Sequence, residues 1–579
     1  MSKVPVHGES LKCGNVKLPE DATKGSKLGV RKIISFAVLM TMSFYAALES
    51  TSIGVALPDI AASTHASSTQ AFWIGTSYLL ASAVCQPPFA AFSHSFGRRP
   101  VIIFTLLLFI AGSIICGVAH DVATILVGRV LQGIGSGGGL SLVEIIITDL
   151  VPLKQRGAYF GLISLSWAMG SAISPLIGGA FTQRVTWRWI FWIMLPFSVI
   201  SLLVLPISLR LQPRKGAFVD KIKEVDWFGC FLLISSATSI LIAISWGGIL
   251  FSWSSAHTLA PLLLGITGIA IFVAWEVYFA KRPLIPMSIF NNRTAATVYW
   301  QSLVSGFNMW ACVYYLPLYF EAVKGFSPIL AGVAILPNLL SVAIAAAATG
   351  FAIKKFGAYC KIIWIGWALA VLGAGLMLML DVEITTPQWL FINLVGGLGV
   401  GMLLPVMRLA IQASASDKDM AVAAAMVMTM RTLGMSLSIA ILGIIFQNVF
   451  QRKLDASGLS GFENASAQNV LGFVEIIKRL PAGSPEKQML RKMFADSLKM
   501  IWVTLLAFDG VTLVSSFFTK ELSLDRVLNT EQGVKRRLSV TVGSGGVSAS
   551  DELNIEEEVK DVGTTIDGEK KAKPLSKVN

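Results

Sequence analysis

Ala123-Thr-Ile-Leu-Val-Gly-Arg129-Val-Leu-Gln-Gly133-Ile-Gly135-Ser-Gly-Gly138-Gly-Leu-Ser-Leu-Val-Glu144-Ile-Ile-Ile147 decides how the chain is read. The run is apolar apart from one arginine, one glutamate and a few small polar residues, and it exceeds the ~20 residues that an apolar helix needs to cross a hydrocarbon core. It contains Gly133-Ile-Gly135-Ser-Gly-Gly138, the spacing of a dinucleotide-binding loop. That motif works only after a strand and at a helix N-terminus, and here no strand precedes it. Glycines inside an apolar helix instead let neighbouring backbones approach closely.

The same ruler applied outward yields fourteen candidate spans: 33–57, 71–91, 101–119, 123–147, 158–181, 190–209, 227–246, 258–279, 296–318, 329–351, 360–380, 388–409, 421–447 and 498–518. Of the 579 residues 54% are hydrophobic and 14% charged, against about 25% charged in soluble domains, which excludes a disordered chain or a string of soluble domains. The net charge of +13 is spread between apolar runs and not clustered with aromatics, so it reports topology and no nucleic-acid partner. With the N-terminus inside, the inner loops hold sixteen Lys/Arg (Arg98, Arg99, Lys154, Arg156 and Lys418 among them), and the short outer loops hold three, Arg184, Arg188 and Lys324. Both termini are therefore expected in the cytoplasm. The first thirty residues show no removable signal peptide, so span 1 directs insertion.

Six isolated cysteines, with no CxxC pair and no nearby histidine, supply neither a disulfide framework nor a metal site. No cofactor is expected. The absence of GxxxxGK[ST] removes an ATPase of the chain's own, so uphill transport would draw on an ion gradient. No clustered histidines or paired catalytic carboxylates suggest an enzyme. Residues 448–497 are expected as an outer loop with short amphipathic helices capping the last two spans. The loop contains the sequon Asn464-Ala-Ser466 as a candidate glycosylation site; Asn292-Arg-Thr294, in an inner loop, is expected to stay unused. The tail 519–579 is polar and reads as disordered, with Ser539 behind a basic run.

Four motifs in order resemble the Major Facilitator Superfamily, and within it the 14-span drug:proton antiporters of fungi and bacteria. They are Leu48-Glu-Ser-Thr-Ser-Ile-Gly-Val-Ala-Leu-Pro58, Phe96-Gly-Arg-Arg-Pro100, Arg129-Val-Leu-Gln-Gly133, and Gly161, Gly170, Pro175, Gly178 and Gly179 of span 5. Trp187-Arg-Trp-Ile-Phe191 and Asp226-Trp-Phe-Gly229 add smaller matches. The resemblance implies an all-α membrane protein with two six-helix bundles, 33–209 and 296–518, an inserted pair in 210–295, and tails 1–32 and 519–579. It also implies proton-coupled export of amphipathic drugs, toxins or secondary metabolites by a monomer, from the plasma membrane or the vacuole. A proton-coupled importer, for example of metal chelates, and a non-transporting sensor are the rivals. The chain departs from the motifs at His94, where an aspartate is usual, at Glu49 in place of aspartate, and at Ser174 in place of glycine. The missing aspartate would pair with loop arginines in an inner-gate latch of His94, Gly97, Arg98 and Arg99. His94 is read there as a hydrogen-bonding substitute or as a pH-sensitive element. Gly350-Phe-Ala-Ile-Lys-Lys-Phe-Gly357 echoes the step from Ala90 to Gly97, as two related bundles require.

Ionisable residues at membrane depth are costly and mark function. Counted from their span ends, Glu49 and Arg129 lie within about 5 Å of the same depth, so they are expected to pair and, by the resemblance, to couple protons. Glu144 has three readings: a second proton site, an attractor of cationic cargo, or a side chain snorkelling to the inner face. Arg431 and Asp509, at matched depth on consecutive spans, are expected to form an intramembrane ion pair. Trp167, Gln301, Asn308 and Trp310 are candidates for lining a cavity.

Overall fold

The computed structural model describes residues 29–66, 68–209, 211, 214, 217–248, 251–457, 470–481 and 483–524. Asn464, Ser539 and the two tails beyond these limits lie outside the described residues. The first half runs through α1 (Val30–Thr64), α2 (Ser68–Phe96), α3 (Arg98–Gly117), α4 (Val122–Leu150), α5 (Leu153–Arg184) and the pair α6 (Trp189–Trp192) and α7 (Met194–Ser208). A short α8 (Phe218–Glu224) then leads to α9 (Trp227–Trp246) and α10 (Ala256–Tyr278). The second half follows as α11 (Arg293–Ala322), α12 (Pro328–Phe356), α13 (Cys360–Met377), α14 (Thr386–Ser414), α15 (Met420–Ser457), α16 (Val470–Arg479) and α17 (Pro485–Ser516).

Each of the fourteen expected spans is helical. Twelve of the helices, with α6 and α7 taken together, are long and apolar enough to cross a membrane. The other two, α2 and α11, are 29 and 30 residues long but carry more polar side chains. Those side chains are turned inward: Tyr78 and Gln86 on α2, and Gln301 and Asn308 on α11, are buried. The outer loop is shorter than expected. Helix α15 runs ten residues beyond 447, and α17 begins at Pro485, because Phe450, Leu454, Leu490 and Phe494 continue the apolar packing past the span ends. Between them α16 sets Phe473 and Ile477 into the same cluster.

Glycine positions the core helices. A Cβ on Gly137 would lie 2.3 Å from the Ser82 carbonyl oxygen of α2, and one on Gly135 would lie 2.6 Å from the Phe109 nitrogen of α3. The run that mimics a nucleotide loop is thus a wedge on which α2 and α3 sit. The second half repeats it: a Cβ on Gly401 would lie 2.4 Å from the Val342 carbonyl oxygen of α12, and one on Gly399 would lie 2.4 Å from the Ala370 nitrogen of α13. The repeated hairpins end alike. Gly97 closes α2 at φ 96° and Gly357 closes α12 at φ 71°, a region glycine enters without the Cβ clash of other residues.

The two halves meet along α5 and α12. Gly157 and Gly161 lie against Gly350, and Pro175 lies against Gly332. The span-5 motif therefore divides its contacts. Gly161 and Pro175 face the other half, while Gly170 and Gly178 take the Phe44 and Ser52 carbonyls of α1; Gly179 is buried. Ser174 uses its hydroxyl to donate to the Leu48 carbonyl at 2.9 Å, a bond that the usual glycine could not make.

Candidate functional site

Glu49 and Arg129 form an ion pair inside the first half, with neither side chain reaching solvent. Helix α4 presents Arg129 to α1, and α2 supplies its remaining surroundings. The guanidinium donates from Nε to the Ile74 carbonyl at 3.2 Å and from Nη1 to Gln132 Oε1 at 3.3 Å, and it lies 4.6 Å from the Tyr78 ring centroid. Gln132 passes a hydrogen bond on to Ser113 Oγ of α3 at 2.9 Å, and Tyr78 donates to Ser136 Oγ at 2.6 Å. Four helices thus converge on one charge pair. Even so, Glu49 Oε2 and Arg129 Nη2 have no hydrogen-bond partner among the described residues.

A second centre lies between the halves. Glu144 of α4 forms an ion pair with Arg408 of α14, Oε1 to Nε at 3.2 Å, with both side chains at most 5% exposed. It therefore does not snorkel, because its counter-charge is inside the protein. Arg408 also donates to Ser164 Oγ of α5 at 3.1 Å. Arg431 of α15 contacts Met309 Sδ at 3.0 Å, and its guanidinium lies 5.8 Å from the Trp167 ring centroid.

The expected pair of Arg431 with Asp509 does not form. Asp509 accepts instead from Asn308 Nδ2 at 2.6 Å, between α17 and α11, whereas Arg431 points into the seam between the halves. Matched depth fixes height along two helices but says nothing of the azimuth around each. Asn308 is therefore bonded within its own half. Gln301 donates to Thr519 Oγ1 at 3.1 Å and accepts from Trp367 Nε1 at 3.0 Å, so both ends of its amide are used. Trp167 and Trp310 are both buried in the apolar cluster that joins the two halves.

The basic hairpin after α2 has a latch, with different partners from those expected. Arg98 Nε pairs with Asp149, in the last turn of α4, at 3.1 Å, and its Nη1 donates to Ser93 Oγ at 3.1 Å. Asp149 thus supplies a carboxylate from α4. His94 faces Arg214, whose Nη1 lies 3.2 Å from the imidazole Nδ1 and donates to the His94 carbonyl oxygen. Arg99 is exposed. At the same end of the molecule the halves are joined by Arg156 Nη1 donating to Gln412 Oε1 at 2.8 Å and, deeper, by Gln86 Nε2 donating to Thr432 Oγ1 at 2.8 Å.

Arg408, Asp149, Arg156 and Gln412 escape a reading by span, since all lie near span ends where charge reads as topology. One signal was present for Arg408. It follows Gly401 by seven residues, as Glu144 follows Gly137, and those two glycines pack on equivalent helices of the two halves.

A model of the Major Facilitator Superfamily matches residues 39–439. Among similar proteins, the MFS transporter L2 of a Phoma species is 45% identical over 513 residues, 88% of this chain and 86% of its own. The MFS-type efflux pump LUC4 of a Fusarium species is 35% identical, covering 90% of this chain and 93% of the relative. The acurin A biosynthesis cluster MFS-type transporter of Aspergillus aculeatus is 33% identical, over 90% and 95% respectively. Among solved structures, an inward-facing, unoccupied bacterial homolog of the human lysosomal transporter Spinster has a TM-score of 0.54 at 15% identity, covering 85% of this chain and 98% of that one, which bears on the fold.

Proposed function

The chain belongs to the Major Facilitator Superfamily, and from that premise we propose that it exports small organic molecules in exchange for protons by alternating access. It is a multi-pass membrane transporter and not an enzyme. Export is supported by relatives named as efflux pumps along nearly their whole length, and secondary metabolites as cargo by one named for a biosynthesis cluster. We assign residues 33–209 and 296–518 to the two rocking halves and 210–295 to an inserted pair. That gives fourteen crossings with both termini in the cytoplasm, in a monomer at the plasma membrane.

The observation that carries proton coupling is the Glu49–Arg129 pair, sealed among α1 to α4 and incompletely bonded on both sides. A proton arriving at Glu49 neutralises the carboxylate and leaves Arg129 held by the Ile74 carbonyl, Gln132 and the Tyr78 ring. The electrostatic tie between α1 and α4 is then gone. Breaking a buried pair by removing one charge costs about 3–5 kcal/mol, enough to drive a helix rearrangement. Helix α4 carries the change onward as a rod. Glu144 lies fifteen residues beyond Arg129 on it, about 22 Å at ~1.5 Å per residue, and is tied there to Arg408 of the other half. Asp149 ends the same helix on Arg98. Protonation at one end of α4 is thereby coupled to the seam between the halves at the other.

The test is Glu49→Gln in proteoliposomes with an imposed pH gradient. The variant keeps the side chain's volume and cannot bind the transported proton. Gradient-driven efflux should fall to background while the protein remains folded; efflux equal to the parent's rejects the proton route.

A further inference from the structure

The charges between the halves do not balance. Around Glu144, among the described residues, two arginines, Arg408 and Arg431, face this one carboxylate, which leaves an excess of one positive charge at a site whose three ionic side chains are at most 5% exposed. Glu144 is taken by Arg408, whose guanidinium also holds Ser164. Arg431 is the surplus. Among the described residues it has no carboxylate within ion-pair distance, only the thioether of Met309 at 3.0 Å and the face of Trp167. Its Nε has no acceptor, and neither have the indole Nε1 groups of Trp167 and Trp310. Arg431 is 3% exposed, Trp167 6% and Trp310 2%.

The surroundings are as informative as the charge. Met428 and Met435 lie three residues before and four after Arg431 on α15, hence on its face, and both are buried with Met309, Trp167 and Trp310 in the cluster that spans the two halves. Methionine adapts its shape to irregular apolar partners, and indole rings offer broad flat surfaces with one donor each. A buried guanidinium without a counter-charge costs several kcal/mol, and a membrane protein retains such a group where it binds something. A guanidinium matches a carboxylate in plane, two N–H groups to two oxygens.

Resting on the export reading above, we propose that the cargo is an organic anion, an aromatic or other apolar body bearing a carboxylate. Its acid group is received by Arg431, and its apolar body lies against Trp167, Trp310 and the methionines. A cationic cargo meets the opposite conditions, because two arginines repel it and the carboxylate of Glu144, whose Oε2 alone lacks a partner, already carries Arg408 as counter-charge. The acid would supply the charge missing between the halves, so binding draws α15 toward α5 and α11.

The experiment uses the full-length protein in detergent and three fluorescent probes sharing one aromatic body: dansyl-phenylalanine, its primary amide, and the primary amine obtained by reducing that amide. They present an anion, a neutral group and a cation. A hydrogen bond to a charged group is worth about tenfold or more in affinity, so the unmodified protein should bind the acid at least about tenfold more tightly than the amide, and the amine most weakly. Arg431→Gln should erase the preference for the acid over the amide, and Arg431→Lys should keep part of it. Equal binding of acid and amide, preference for the amine, no binding of the acid, or a preference that survives Arg431→Gln each overturn the proposal. The ranking in the unmodified protein decides the matter even if the variants fail to fold. Glu49→Gln separates this from the proton reading, because its preference for the acid should persist whether or not its gradient-driven transport does.

Discussion

The seam between α5 and α12 makes a graded prediction that depends only on distances between backbones. A Cβ on Gly350 would lie 2.4 Å from the Gly157 carbonyl oxygen and 3.1 Å from the Gly161 Cα. Ordinary contact begins at 3.4 Å, so Gly350→Ala must part the two helices by about 1.0 Å. On Gly161 the nearest atom is the Ala346 carbonyl oxygen at 2.8 Å, a separation of about 0.6 Å. On Gly157 the nearest atoms are at 3.4 Å, and nothing need move. Overpacking a fitted interface costs about 1–3 kcal/mol, while exchanging glycine for alanine within a helix returns up to ~1 kcal/mol. Gly157→Ala should therefore be silent or slightly stabilising, Gly161→Ala intermediate, and Gly350→Ala damaging. The same 1–3 kcal/mol, applied to an equilibrium between closed and open seams, shifts it about 5–150-fold. The assay pairs thermal unfolding of the purified protein with initial efflux rates in proteoliposomes. Loss of activity in the order Gly350, Gly161, Gly157 is the expected result. Equal damage at Gly157 and Gly350 would refute the premise that close backbone contact sets the effect.

Asp509→Asn should be tolerated to within about 1 kcal/mol, since among the described residues no cation is paired with the carboxylate and the amide can still meet Asn308. Had Asp509 been paired with Arg431, the same change would cost about 3–5 kcal/mol; thermal unfolding distinguishes the two. Asp381, between α13 and α14, accepts from Lys492 and Lys499 at 2.8 Å each. Its partial burial works to raise the carboxyl, but those ammonium groups and the Val382 amide outweigh it and hold it well below the ordinary carboxylate range. A carboxyl depressed in the folded state contributes stability above its unfolded value of about 3.9 and loses it as pH falls further toward the folded value. Protection factors for amide exchange at the N-terminal turns of α17, each taken against the intrinsic rate at that pH, should therefore be flat from neutral pH to about pH 5 and fall only below about pH 4; a fall near pH 6 would contradict the assignment.

Much of the architecture was legible because a bilayer leaves the backbone few options. An apolar run of sufficient length is a helix wherever it lies, and all fourteen such runs are helical here. The Glu49–Arg129 pair was legible for a related reason, since two charges at one depth within a small set of neighbouring helices have few other partners. The failures share a cause. Arg431 and Asp509 also match in depth, but each helix is turned so that one side chain faces the seam and the other faces Asn308. The hydrogen-bond partners of Gln301, Trp367 and Thr519, lie far along the chain, so no single stretch shows them. Arg408 and Asp149 lie near span ends, and nothing in their own spans singles them out.

From the residues alone came the helices, their order and the presence of isolated charges in an apolar setting, because hydropathy and charge are properties of each stretch by itself. Tertiary structure decided which charges meet. Pairing depends on rotation about helix axes and on glycine-controlled backbone approach between distant segments, as where Gly137 and Gly401 seat α4 and α14 so that Glu144 and Arg408 meet across the seam and Arg431 is left without a partner.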